Sequence, residues 1–257
     1  MRTRAIPGWS LLLAGFVGAT LIAGCGNSNL FEGFANDGTT EATVEGARID
    51  IDNGNYTAAI AALLALCGTN LSAPTCDRET ASLLASAYSG RAGLDVLDLI
   101  QEATNTASGE TRGSFATFSA LLPALTESNK QDMHNAVTLL SGLTSRTANE
   151  NLQMAVVAAA DLIITVGVDL TNGFNTTTGA PNTSPSLAAV QQAEASNGTV
   201  TQVTTDLSLM VQGVTGSGLA GEDLTNDITQ IENDLDADQN GTVSDAELRA
   251  YLALVAL

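Results

Sequence analysis

"TANENLQMAVVAAADLIITVGVDL", residues 147–170, is the longest periodic segment of the chain, and its reading decides the fold. An apolar run of this length can cross a bilayer. Asp161 stands inside it, however, and Glu150 and Asp169 lie near its ends. A carboxylate in mid-span is costly in hydrocarbon. The abundance of Ala and Val instead predicts a helix buried on most sides by protein. The segment is therefore expected to be the central core helix of an α-helical domain.

The rest of the composition agrees. Of 257 residues, 44% are hydrophobic but only 4% aromatic, which favours small-residue helix packing over a β-sandwich. Helical spacing recurs on both sides of the central run. Upstream, residues 51–67 place Ile60, Leu63, Leu64 and Cys67 on one face after the Asn53-Gly54 breaker. Residues 77–103 give one helix marked by Leu83, Leu84, Ala87 and Tyr88. A turn at Gly90 and Gly93 follows, then a second helix with Leu94, Leu97 and Ile100. "SFATFSALLPAL", residues 114–125, is a helix kinked or ended by Pro123. Residues 128–143 form another, with Ser128 as its cap. Downstream, the Thr-, Asn- and Pro-rich residues 171–186 form a loop or linker. Helices over 187–196 and 200–214 follow it, the latter with enough Val and Thr to leave strand open.

The formal charge is −19, from nine Lys and Arg against 28 Asp and Glu. Such a surface repels polyanions, which excludes nucleic acid and electrostatic docking on anionic lipid. Address information lies at the N-terminus. Arg2 and Arg4 precede an apolar stretch from Trp9 to Ala23, the pattern of a secretory signal. The stretch ends in "LIAGC", residues 21–25, which resembles the lipobox of bacterial lipoproteins. That resemblance implies cleavage after Gly24 and a lipidated, acylated (palmitate-type) Cys25 as the anchor. Several acyl chains hold a protein where one alone is marginal. Residue 26 is Gly; Asp there retains many such lipoproteins in the inner membrane, so an outer-membrane address is implied. Cleavage removes Arg2 and Arg4 and takes the formal charge from −19 to −21. Residues 1–24 are thus the signal peptide and 25–40 a small, polar tether. The remaining pair, Cys67 and Cys76, is expected to close a disulfide in an oxidising compartment. No second Cys pair or His cluster supports a metal role for them.

Residues 41–170 are expected to form the first helical domain. "GNYTAAI", residues 54–60, resembles the inter-helix turn of tetratricopeptide repeats, and "GLDVLDL", residues 93–99, matches it loosely. The resemblance implies helix pairs stacked as a short α-solenoid. The two glycines lie 39 residues apart, against about 34 in that class, and the disulfide loop accounts for the surplus. A generic helical bundle is the alternative.

The C-terminal part, residues 187–257, carries "DADQNGTVSDAE", residues 236–247. Calcium needs six to eight hard oxygens, supplied in EF-hands by loop positions 1, 3, 5, 7, 9 and 12. Here these are Asp236, Asp238, Asn240, Thr242, Ser244 and Glu247, with Gly241 at the sharp turn and Val243 as apolar anchor. The stretch resembles the EF-hand family throughout. Thr242 is expected to contribute its carbonyl, Ser244 a water-mediated contact and Glu247 both oxygens. Leu224, Ile228, Ile231 and Leu235 space an entering helix. Leu248, Tyr251, Leu252 and Val255 space an exiting one. No second loop accompanies it: "DIDNGNYTAAIA" from Asp50 lacks the glycine and ends on Ala61. The lone hand is expected to rest its helices on the helical body.

Other chemistry is absent or weak. "GSGLAG", residues 216–221, fits a dinucleotide fingerprint, but Glu222 and Asp223 follow where a pyrophosphate needs positive potential. No G-x-S-x-G elbow exists. His134, the single histidine, lies in a polar helical stretch and reads as a surface residue. The sequence thus predicts a mainly α, non-enzymatic envelope lipoprotein. It is expected to use Ca²⁺ to stabilise a helical scaffold for protein partners. A solute-binding accessory of a transport system is the rival.

Overall fold

A computed structural model describes residues 39–94, 125–173, 181–218, 229 and 231–255. The signal peptide, Cys25, most of the tether, the 114–124 helix, residues 95–99, Leu224 and Ile228 lie outside the described residues. The chain is mainly α-helical, with no β-strand among the described residues. The helices are α1 (Thr40–Asp52), α2 (Tyr56–Cys67), α3 (Arg78–Arg91), α4 (Glu127–Gly142), α5 (Ala148–Val166), α6 (Leu187–Asn197), α7 (Thr199–Ser217) and α8 (Asp245–Val255).

Helix α5 begins where a capping box permits it. Thr147 Oγ1 accepts from the Glu150 amide at 3.3 Å, and Glu150 Oε2 accepts from the Thr147 amide at 2.6 Å. From there Met154, Val157, Ala158, Ile164 and Val166 are fully buried, between α4 on one side and α7 on the other. Length and composition alone would let it cross a membrane, yet 78% of its apolar window is buried by the protein itself. It is the core helix. Its last turn widens into a π-helix, Gly167–Thr171. The α5–α7 crossing is close because Gly213 lacks a side chain. A Cβ there would lie 2.5 Å from the Asn151 carbonyl oxygen and 2.8 Å from Ala155 Cβ. The β-branched residues that left α7 open to a strand reading are helical because burial of Val200, Val203 and Val214 outweighs their modest propensity. Thr204 and Thr205 also return their hydroxyls to the carbonyls four residues back.

Two local expectations are corrected. Gly90 is not a turn residue: α3 runs through it to Arg91, and the turn falls at Gly93 with φ of 87°. A Cβ at Gly90 would lie 2.3 Å from the Tyr56 ring, so the glycine lets α2 seat that ring on α3. The cap of α4 is Thr126 rather than Ser128. Thr126 is extended and accepts from the Asn129 amide, while Ser128 is already helical.

Cys67 and Cys76 are bridged, Sγ to Sγ 2.00 Å, at the end of α2, and the Thr75 amide donates to the Cys67 carbonyl inside the loop. Asp77 then caps α3 through the Thr80 amide and hydroxyl, which hold its carboxyl below the usual pKa. Arg91 clamps the buried Asp132 of α4 with two bonds of 2.8 and 2.6 Å. The ends of the 171–186 segment are tied together, the Thr183 amide and hydroxyl both donating to the Thr171 carbonyl. Val44–Leu257 form one compact unit and Met1–Thr43 another. In the latter, Thr39 Oγ1 accepts from the Ala42 amide and opens α1.

Candidate metal centre

The C-terminal loop starts where a short helix over 231–235 ends, and Leu235 is fully buried there. Two residues bend the loop through the left-handed region, Gln239 at φ 56° and Gly241 at φ 83°. Glycine meets this demand without steric cost. Val243 is buried, and Leu248, Tyr251 and Leu252 of α8 are buried beneath the loop. Burial pushes the Tyr251 phenol above its ordinary pKa. Val255 and the first half of the entering helix lie outside what is described at side-chain level.

The fold brings one carboxylate oxygen each from Asp236, Asp238 and Glu247 to within 4.8 Å of one another. Asp236 is buried; its two oxygens accept from the Asn240 amide at 3.1 Å and the Gly241 amide at 2.7 Å. Asp238 Oδ1 also accepts from the Asn240 amide, at 3.2 Å. Asn240 Oδ1 accepts from the Thr242 amide and hydroxyl. Glu247 Oε2 accepts from the Ser244 amide and hydroxyl at 2.9 and 2.7 Å, and its Oε1 from the Asp238 amide at 3.2 Å. With the Glu247 amide donating back to Ser244 Oγ, this is a capping box that starts α8. The Ser244 bonds hold the Glu247 carboxyl below its usual pKa. Three of the six sequence-predicted residues thus converge through side-chain oxygens. The side chains of Asn240 and Ser244 are engaged within the loop. The donor set is all hard oxygen, the kind that suits Ca²⁺ or Mg²⁺ rather than a soft transition metal.

The loop is moored to the bundle. The Val243 amide donates to Thr204 Oγ1 of α7 at 3.1 Å, and α8 packs on α6.

A second acidic cluster escaped the sequence reading. Asp161 of α5 and Asp206 of α7 are both fully buried and are bridged by Gln202, whose Nε2 donates to Asp161 Oδ2 at 3.1 Å and Asp206 Oδ1 at 2.9 Å. Their other oxygens, Asp161 Oδ1 and Asp206 Oδ2, have no hydrogen-bond partner in the protein. His134 is exposed, as its polar helical stretch predicts, and its Nδ1 lies 3.6 Å from Asp161 Oδ2 at the rim of this cluster. Burial raises the pKa of both carboxyls, that of Asp206 most, with the neighbouring Asp161 charge adding to it. The Asp161 carboxylate in turn raises the pKa of His134. Nearby, Lys130 and Thr199 both bond to the buried Asp169, at 2.6 and 2.7 Å. The signal available in sequence was Asp206, the one charged residue of α7, four positions after Gln202.

A polar groove of about 300 Å³ opens between α1, α3 and α5. Its arginines are matched, Arg48 to Glu79 and Arg78 to Glu150, so it carries no strong field of one sign. Gly216 of the "GSGLAG" stretch is helical and lies against Asn151, a packing role rather than a phosphate turn. No protein-family model, no curated protein and no solved structure matches the chain.

Proposed function

We propose that this is a lipid-anchored, non-enzymatic envelope protein that offers a helical surface to protein partners and locks its C-terminal helices with one Ca²⁺ ion. The observation that carries the reading is the convergence of Asp236, Asp238 and Glu247. Carboxylates about 4 Å apart repel by roughly 1 kcal/mol per pair even in water, and a bound divalent cation turns that repulsion into attraction. The oxygens of Asn240, Thr242 and Ser244 would complete the shell. An unpaired hand places the affinity at roughly 10⁻⁵–10⁻³ M. The ion's work is structural: it would join the end of the 231–235 helix to the start of α8.

The test is calorimetric titration of the full chain in detergent with CaCl₂. One site in that range is expected, and its loss in the joint variant Asp236→Ala, Glu247→Ala. Binding that survives the double change would place the ion elsewhere. The anchor is tested separately by mass spectrometry of the mature N-terminal peptide, expected to begin at an acylated Cys25.

A further inference from the structure

The loop has a hydrogen bond to α7, from the Val243 amide. Val243 is buried between the exposed Thr242 and Ser244, and an N–H turned towards the protein at such a position is costly to leave without an acceptor. Its acceptor is Thr204 Oγ1, 39 residues away at 3.1 Å. That hydroxyl is oriented, not free to rotate: it donates its own hydrogen to the Val200 carbonyl at 2.9 Å, which leaves its lone pairs facing the loop. Thr204 is therefore held on α7 as a fixed acceptor.

We propose that Thr204 is a positioning residue for cation binding, setting the loop's affinity from outside the loop. The inference rests on the calcium reading given above. Thr204 touches no ligand oxygen; it acts through Val243, one residue from Thr242 and Ser244. Anchoring that amide holds the second half of the loop against the bundle before the ion arrives. The ordering cost is then met by folding rather than by binding. Reciprocity follows: an ion that tightens the loop tightens the Val243–Thr204 bond by the same free energy.

The experiment compares three full-length chains, wild type, Thr204→Val and Thr204→Ser, by titration with CaCl₂ alone. Valine keeps the shape and removes the acceptor; serine keeps the hydroxyl. Thr204→Val is expected to weaken Ca²⁺ binding about fivefold, the scale of one lost hydrogen bond, and Thr204→Ser to stay within about twofold. Amide exchange supplies the second readout, independent of the variants. In the wild type the Val243 N–H should be protected, and more so with calcium. If wild type binds and Thr204→Val binds equally well, the Thr204 role is overturned and the calcium site stands. If wild type binds no calcium, the calcium reading itself fails. A Val243 amide that exchanges freely in the calcium-loaded wild type overturns the inference even if Thr204→Val does not fold.

Discussion

Two groups of carboxylates in this chain share a chemistry and differ in everything that surrounds it. Asp236, Asp238 and Glu247 converge at a loop with water on one side, and backbone amides answer their charge. Asp161 and Asp206 meet inside the α5–α7 seam, fully buried, with one amide between them and an oxygen of each left unanswered. Hydrogen bonds from a hydroxyl and an amide lower a carboxyl's pKa, as Ser244 does at Glu247; burial beside a like charge raises it, as at Asp206. The first arrangement presents three converging carboxylates beside solvent. The second disfavours two charges, so burial and the like neighbour push both carboxyls towards their protonated forms. Acidity in a composition therefore says little until the surroundings of each group are known.

The comparison breaks most visibly with calcium itself. At a hundredfold excess over its dissociation constant, calcium should stabilise the wild type by about 2.7 kcal/mol. The Asp236→Ala, Glu247→Ala chain should gain nothing, and urea melts with and without calcium would show it. A calcium shift that persists in the double variant would sink the distinction.

Next is an equal change made in each place. Asp206→Asn replaces a buried carboxyl whose ionised form is disfavoured by burial and by the Asp161 charge, and should stabilise the protein by about 1 kcal/mol near pH 8. Asp236→Asn removes one carboxylate from the converging three, and should cost calcium affinity about tenfold. Equal signs for the two substitutions, by urea melting and calcium titration, would refute the contrast.

Acidity should then sharpen it. The folded-state pKa of Asp161 and Asp206 lies above the unfolded value of about 3.8, so the native state holds extra protons above that pH. Their stabilisation is full below it and is lost as pH rises through the folded values. His134, raised from 6.5, has the same sign: its contribution is present below that pH and fades above. Asp77 and Glu194, held below their usual values, act oppositely, but only as pH falls towards about 4. From about pH 5 to 8 the wild-type urea midpoint should fall, and the Asp206→Asn midpoint should fall less. Parallel slopes would mean that the seam does not titrate. The smallest effect is salt: raising it to about 1 M screens exposed charges within a few Å, so calcium affinity should drop while the seam's pH response stays.

The bend at Gly241 and the burial of Val243 could be read in advance because both are written in twelve consecutive residues. Position 6 must bend, position 8 must be apolar, and both demands name residue types. The core helix was legible for a related reason, since Asp161 argued against lipid. What that same aspartate does could not be read. Its partners, His134, Gln202 and Asp206, come from two other helices, and no periodicity within one helix records which residue a neighbour will present. Gly90 failed in the opposite way. Its turn-forming character is real in isolation, but the Tyr56 ring claimed the space. Ser128 lost its role to Thr126 by two positions, within the range that local signals leave open.

Gly213 has a mechanical consequence. Where α7 touches the α5 backbone at Gly213, its neighbours are the Asn151 carbonyl, the Ala155 amide and the Ala155 methyl, none of which can change rotamer to let one helix roll on the other. The backbone contact at Gly213 is one pin between the helices, and the Asn151 side chain seated against Gly216 is a second. Thr204 lies nine residues from the first pin, about 14 Å along the axis. A pull on that hydroxyl from the loop is therefore passed along α7 as tilt of a rod about a pivot, not absorbed as local repacking.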